Sequence, residues 1–166
     1  YISTHGNMPD LFRNNPYAGE LKDPLLYDVP EEYKEADSKF AAMLEEAEKF
    51  LGYPYVWGGS DLSTSFDCSG FVSWVLVNSG VKDVGRLGAT SLYGALTPVR
   101  EDEARPGDII FFEGTLGEGV EGNDGITHCG IYVGDGMMIH CGSPISYADL
   151  SRSYWQEHFY GYARAY

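Results

Sequence analysis

Basic side chains are scarce in this sequence. The 166 residues include 11 Lys and Arg against 25 Asp and Glu, which gives a formal net charge of −14. A protein that binds a nucleic-acid backbone or an anionic bilayer presents a positive stripe, because Lys and Arg hold the phosphates. No such stripe is visible in the sequence. We therefore expect neither nucleic acid nor an anionic membrane surface as a partner.

Cysteine is also scarce, and long apolar runs are missing. Three Cys residues cannot all pair with one another, so at least one thiol is free or forms an intermolecular bond. No apolar run approaches the roughly 20 residues that span a bilayer, so we expect no membrane insertion. The given sequence does not start with the charged segment and apolar run that are typical of a secretory leader. Because the first residue is Tyr and not Met, we expect a fragment or mature product whose targeting segment lay upstream.

The sequence does contain enough apolar side chains to fill one core. Hydrophobic residues make up 43% of the chain and charged residues 22%, and 166 residues suit a single domain. The 21 Gly and 13 Tyr favour turns and aromatic strands over a helical bundle.

The order of patterns along the chain predicts an α+β fold. Residues 1–29 are interrupted by Asn, Pro and Gly and are expected to form an arm or linker, with the domain at 30–166. Apolar residues at three-and-four spacing predict one helix over 30–51 and a second over 67–78. Helices first and strands afterwards favour an antiparallel sheet packed against an N-terminal helical part. The predicted strands are 109–112, 127–133, 137–141 and 159–166, and a glycine-rich acidic loop is predicted over 114–125.

Cys68 lies at the start of the second predicted helix. Free backbone N–H groups and the helix dipole stabilise negative charge there, so the thiol ionises more easily and becomes a nucleophile. Gly70 is a poor helix former, and its presence is explained if another group approaches the helix closely. The alternative is that Cys68 is a small buried core residue, which is the commoner role of a free Cys. Its polar neighbours, Asp67 and Ser69, argue against that alternative.

His128 and His140 lie on the two arms of a predicted hairpin. If residues 134–136 form a three-residue loop, Gly130 faces His140, and the two histidines are diagonal neighbours on one sheet face. Diagonal neighbours lie about 7 to 8 Å apart, within reach of a hydrogen bond between the imidazoles. A two-residue loop at 135–136 would instead send His128 to the other face.

These residues together suggest cysteine-hydrolase chemistry. Cys68 would attack a carbonyl, and His128 would take the thiol proton and later protonate the leaving amine. His140 would fix the tautomer and the orientation of His128.

The same two histidines are each followed by a cysteine, which leaves other interpretations open. His128, Cys129, His140 and Cys141 together have the composition of a zinc site, but adjacent strand residues point to opposite faces. Cys129 and Cys141 would otherwise form a cross-strand disulfide or pack as free thiols, and we favour free thiols. The two histidines without a partner at informative spacing are His5 and His158.

In their order and spacing these motifs resemble the NlpC-type cell-wall peptidase family of papain-like cysteine peptidases. The resemblance covers residues 51–141, roughly half of the chain. The matching segments are YVWGG at 55–59, DCSG at 67–70, PGDIIFF at 106–112, HCGIYVG at 128–134 and MIH at 138–140.

This resemblance implies a papain-like fold, in which an antiparallel sheet packs against the nucleophile helix. It also implies a catalytic triad of Cys68, His128 and His140, with no cofactor. The implied reaction is hydrolysis of peptidoglycan stem peptides, most often between D-γ-glutamate and the following diamino acid. The partner would then be a muropeptide, and the protein would be a monomer that is secreted or associated with the cell wall.

The resemblance further implies substrate-binding roles for Tyr55, Asp67 and Ser69. The Tyr55 hydroxyl would lie near the thiol and stabilise an oxyanion together with the backbone N–H of Cys68. Asp67 and Ser69 would contact the stem peptide. Simpler alternatives are an aromatic core residue for Tyr55 and a helix cap for Asp67.

Three features differ from the family pattern. Cys129 replaces a small aliphatic residue, the loop at 114–125 is long and acidic, and residues 1–29 lie outside the common core. The arm and first helix resemble the segment that precedes such a domain in two-domain wall hydrolases of Gram-positive mobile elements. The acidic loop lies directly before His128, and its charge is expected to attract the cationic ends of stem peptides.

Two alternative functions remain open at this point. Related papain-like wall enzymes include amidases that cut between muramic acid and L-alanine. A catalytically silent wall-binding or zinc-bearing module is the third possibility.

Overall fold

The structure is a computed structural model that describes residues 21–61 and 63–166. Within these ranges no helix combines the length and the apolar character needed to cross a membrane. The helices are α1 Glu31–Ala36, α2 Ser38–Glu48, α3 Cys68–Asn78, α4 Ala89–Ala95 and α5 Ser153–His158, with a 3-10 turn at Glu101–Glu103. The strands are β1 Ser60–Asp61, β2 Ser65–Phe66, β3 Thr97–Val99, β4 Ile109–Glu113, β5 Ile126–Gly134, β6 Met137–Cys141, β7 Ile145–Asp149 and β8 Phe159–Arg164.

The predicted arm at 1–29 lies partly outside the described residues, which begin at residue 21. Its described part has no helix or strand, but it packs against the domain. The Lys22 N–H donates to the Gly52 carbonyl, and Val29 is buried.

The first predicted helix, at 30–51, is two helices in the structure, so the prediction of one continuous helix is wrong. The break falls at Asp37, whose backbone is extended at φ −146° and ψ 99°. Its carboxylate accepts hydrogen bonds from the N–H groups of Lys39 and Phe40, each at 3.1 Å, and caps α2. A capping Asp in the middle of an apolar repeat therefore begins a new helix.

The main sheet has six strands among the described residues, in the order β3-β8-β4-β5-β6-β7. Every neighbouring pair is antiparallel, and α3 packs against β5 and β6. This confirms the α+β class and the antiparallel sheet. The apolar stripe predicted for α3 is fully buried between the sheet and α2; it consists of Phe71, Val72, Val75 and Leu76.

The β5–β6 hairpin has the turn of one loop considered from the sequence and the strand register of the other. The turn itself is the two-residue one, with Asp135 at φ 54° and Gly136 at φ 74°. The register then shifts between Tyr132 and Gly134, so that one extra residue forms a bulge on β5. Beyond the bulge Ile131 pairs with Ile139, which is the register of the three-residue loop. The bulge therefore decides which sheet face carries the histidines.

Candidate active site

The N-terminus of α3 places Cys68 beside β5. Asp67 is the N-cap of this helix, and its side chain accepts a hydrogen bond from the Gly70 N–H at 2.7 Å. Cys68 is 6% exposed, and its Sγ lies 3.8 Å from the Thr127 carbonyl oxygen. A Cβ at Gly70 would collide with the Gly59 carbonyl. The group that approaches the helix closely at Gly70 is therefore the backbone carbonyl of Gly59.

His128 and His140 lie side by side on one face of the sheet. The His128 Nε2 is 2.8 Å from the His140 Nδ1, and the two rings meet edge to face at 85°. Two glycines make room for the second ring. A Cβ at Gly130 would lie 2.9 Å from the His140 Cβ, and a Cβ at Gly142 would lie 2.8 Å from the His140 Cε1. The predicted contact between the imidazoles is present.

Local contacts move the pKa values of the thiol and of the second histidine. A hydrogen bond from Cys129 is the largest cause that lowers the Cys68 pKa well below its ordinary value. Burial opposes this shift, and a hydrogen bond and the charge of His128 add to it. The His140 pKa is also well below its ordinary value, first because the ring is buried and then because of the His128 charge. The site thus favours a Cys68 thiolate and a neutral His140.

Trp155 covers the histidine pair, and the sequence analysis missed it. Its ring stacks on His128 at 5.7 Å and 24°, and meets His140 edge to face at 5.1 Å. The Trp155 ring also packs against Phe112 at 4.8 Å. Nothing in the local sequence of α5 indicates this role, because the contact exists only when α5 folds back onto the sheet.

An open cleft of about 330 Å³ lies over the histidine pair. Trp57 is 75% exposed at this cleft. Burial, followed by the charge of Cys68, raises the pKa of the half-buried Tyr55, so its hydroxyl stays protonated. The lining residues are Tyr55, Trp57, Thr115, Leu116, Thr127, His128, His140, Gly142, Tyr154 and Trp155.

Asp67 and Ser69 are not among the residues that line this cleft. The Asp67 carboxylate accepts two hydrogen bonds from Arg86, at 2.8 and 2.9 Å, and another from the Gly58 N–H at 3.1 Å. Ser69 is 4% exposed, and its Oγ accepts a hydrogen bond from Arg86 at 3.1 Å. The capping alternative for Asp67 therefore matches the structure. Arg86 is a partner that the sequence analysis did not find.

The two remaining cysteines point away from the histidines. Cys129 and Cys141 belong to the buried cluster between the sheet and α3, whereas His128 and His140 face the cleft. All three cysteines of the chain are free thiols. Within residues 21–61 and 63–166 no three His, Cys, Asp or Glu side chains form a group suited to a metal ion.

Of the other two histidines, His158 is the one that the structure describes, and it is not among the residues that line the cleft. His158 forms a hydrogen bond with the Glu113 carbonyl at 2.8 Å, and His5 lies outside the described residues.

The acidic loop at 114–125 is attached to the strand that carries His128. The Thr115 N–H donates to the Thr127 Oγ1 at 2.8 Å, and the Leu116 N–H donates to the Asn123 side-chain oxygen at 2.8 Å. Thr115 and Leu116 also line the cleft, so the loop forms part of its wall.

The antiparallel sheet, the cysteine at a helix start and the paired histidines define an α+β domain of papain-like type. The profile of the NlpC/P60 family matches residues 52–164, and the chain belongs to this family.

Relatives and solved structures of the family are similar to most of the chain. The chain is 42% identical over 126 residues to the bifunctional muramidase/DL-endopeptidase CwlT of Bacillus subtilis, across 75% of this chain and 36% of CwlT. It is 40% identical over 123 residues to the probable endopeptidase p60 of Listeria seeligeri, across 74% of this chain and 21% of p60. The chain thus spans well under half of each of these two relatives. A lipoprotein-like NLP/P60 family structure from Staphylococcus aureus superposes with a TM-score of 0.70 at 37% identity, covering 86% of this chain and 43% of that one.

Proposed function

We propose that this domain is a cysteine peptidase that hydrolyses peptidoglycan stem peptides as a D,L-endopeptidase. The observation that carries the proposal is the position of the Cys68 thiol against the Thr127 carbonyl, one residue before His128, where the His128–His140 pair lines an open cleft. CwlT, a bifunctional muramidase/DL-endopeptidase, supports the choice of bond. A substrate of this kind places the enzyme outside the cytoplasm.

The geometry supports acyl transfer in two stages. Because the His128 Nε2 contacts His140, its Nδ1 remains to take the proton of the Cys68 thiol, and the resulting thiolate attacks the scissile carbonyl. His128 then protonates the leaving amine, which leaves an acyl group on the sulfur. In the second stage His128 takes a proton from water, the resulting hydroxide attacks the thioester, and the thiol is restored.

Tyr55 has the position and protonation state for stabilising the oxyanion. It lines the cleft beside His128, and its raised pKa keeps the hydroxyl a donor. We assign it this role together with the Cys68 backbone N–H, which lies at the positive end of α3. The side chains of Asp67 and Ser69 are both hydrogen-bonded to Arg86. We therefore propose that they affect substrate binding indirectly, by holding α3 in place.

Purified protein incubated with muropeptides, with the products read by mass spectrometry, tests this function. We expect release of the fragment that begins with the diamino acid, and no cleavage by Cys68→Ala. Cys141→Ala is a matched control, because Cys141 is a buried thiol that donates to the Phe66 carbonyl and lies outside the cleft. A product cut between muramic acid and L-alanine would replace the endopeptidase with an amidase. No product, or undiminished cleavage by Cys68→Ala, would contradict the proposal.

A further inference from the structure

The cleft over the histidine pair has no Lys or Arg among the described residues that line it. Arg86, near the start of α3, donates to both carboxylate oxygens of Asp67 and is not a lining residue. Any positive charge on His128 is balanced by the Cys68 thiolate, and His140 stays neutral because burial lowers its pKa. Apart from the histidine pair, the cleft is lined by Tyr55, Trp57, Thr115, Leu116, Thr127, Gly142, Tyr154 and Trp155. The described lining therefore offers a bound anion no free cation.

Negative charge lies beside this cleft instead. The acidic loop contributes Thr115 and Leu116 to the wall, and the Leu116 N–H donates to the Asn123 side chain at 2.8 Å, which closes the loop on itself. Glu118 and Glu121 lie between these two ends of the closed segment, and both are exposed. An anion that enters the cleft is repelled by this charge, and it loses water against aromatic walls without gaining a cationic partner.

Two hydroxyls on the same wall form a neutral hydrogen-bonding pair. The Oγ1 atoms of Thr115 and Thr127 are 2.6 Å apart, and the Thr127 Oγ1 also accepts from the Thr115 N–H at 2.8 Å. One O–H is used within the pair, so the other O–H remains as a donor, together with lone pairs on the oxygens. A carboxamide matches this pair with its N–H and its C=O, whereas a carboxylate has acceptors only.

We propose that the cleft selects stem peptides in which the free α-carboxyl group of the γ-linked glutamate is amidated. This glutamate is joined to the diamino acid through its γ-carboxyl group, so its α-carboxyl group is only a few bonds from the scissile carbonyl. As a carboxylate it brings a negative charge into the cleft, and as a carboxamide it is neutral and can bond to the Thr115–Thr127 pair. The inference deepens the proposed endopeptidase function and rests on it.

Matched synthetic peptides of the form L-Ala–γ-D-Glu–diamino acid test this selection. One pair contains L-lysine and the other meso-diaminopimelate, and the two members of a pair differ only in whether the glutamate α-carboxyl group is free or amidated. In a pair that is cleaved, we expect kcat/KM of the wild type to be at least about tenfold higher for the amidated member. Equal values, or a higher value for the free carboxylate, would overturn the proposal.

Variants of the cleft wall test the source of the preference. Leu116→Lys adds a cation to the wall, and Leu116→Gln is a neutral control of similar length. We expect Leu116→Lys to raise kcat/KM for the free carboxylate and to remove most of the preference, whereas Leu116→Gln retains it. Thr115→Val removes one hydroxyl and should lower kcat/KM for the amidated peptide more than for the free carboxylate. A full preference in Leu116→Lys would contradict the proposal.

Binding of the same peptides to Cys68→Ala, measured by calorimetry, separates this inference from the proposed function. If no peptide is cleaved by the wild type, the endopeptidase function fails. Tighter binding of the amidated member would then still support selection by the cleft. Equal binding of the two members would overturn it.

Discussion

The His128 Nε2 lies 2.8 Å from the His140 Nδ1, so one imidazole serves as the acceptor for the other. Burial, followed by the His128 charge, keeps the pKa of His140 low, and the ring remains neutral. A neutral third residue offers a lone pair and not a full negative charge. We infer that His140 acts mainly by orienting His128, so that the other nitrogen of His128 faces Cys68.

Replacing His140 should therefore lower turnover more than substrate binding. We expect His140→Ala to reduce kcat by roughly 10²-fold, because His128 loses its fixed tautomer. His140→Asn can still accept from the His128 Nε2 and should retain more activity. Steady-state kinetics with a muropeptide, together with the pH profile of Cys68 alkylation, measures both effects. An unchanged kcat in His140→Ala would contradict the orienting role.

Trp155 should protect the histidine pair from water. In Trp155→Ala the stacking surface on His128 is lost, and we expect kcat to fall about fivefold, equivalent to about 1 kcal/mol. Trp155→Phe keeps a ring over the pair and serves as the matched variant. If the alanine and phenylalanine variants have equal kcat values, stacking contributes nothing to turnover. Thermal unfolding of both variants separates this effect from lost packing against Phe112.

Asp67 should contribute to stability through the cap of α3. We expect Asp67→Ala to lower the free energy of unfolding by about 1 to 2 kcal/mol, the usual cost of losing an N-cap. Asp67→Asn retains a capping oxygen, and Arg86→Gln breaks the ion pair while the cap remains. Denaturant unfolding of the three variants ranks these contributions. A higher KM in Asp67→Asn with unchanged stability would instead indicate direct contact with substrate.

Glu48 should make stability depend on pH. Burial raises the pKa of its carboxyl in the folded state, although the hydrogen bond from Tyr147 opposes the shift. A raised folded pKa favours the protonated form, so this contribution is full below the unfolded pKa and is lost as pH rises through the folded pKa. We expect Glu48→Gln to have a higher Tm than the wild type near neutral pH, with the difference shrinking toward pH values below the ordinary Glu range. A constant difference between the two melting curves would contradict this explanation.

The acidic loop should make catalysis depend on salt. Glu118 and Glu121 are exposed in the loop whose first residues line the cleft, and their charge attracts the free amines of stem peptides. We expect kcat/KM to fall with rising ionic strength, because salt screens this attraction. The double variant Glu118→Gln with Glu121→Gln should flatten the dependence. If kcat/KM of the wild type does not change with ionic strength, the loop charge contributes to solubility and not to substrate attraction.

The elements that the sequence predicted well are those with strong local signals. Asp67 before Cys68, followed by an apolar stripe, determined where α3 begins and which face it buries. Alternation along β5 and β6 separated the histidines from the cysteines, because successive strand residues point to opposite faces. The hairpin pattern also supplied His140 as the third member of the proposed triad, and the family resemblance supplied the expectation of a papain-like fold.

The contacts between distant segments were decided by the tertiary structure. The bulge before Gly134 set the register at the histidines, and packing of α5 brought Trp155 onto them. Arg86 reached Asp67 across 19 residues, and β5 carried the Thr127 carbonyl to the thiol of Cys68. Each of these depends on how elements dock and not on local propensity. Such contacts leave no periodic trace in the sequence, because a side chain that meets a distant partner needs no particular neighbours along the chain.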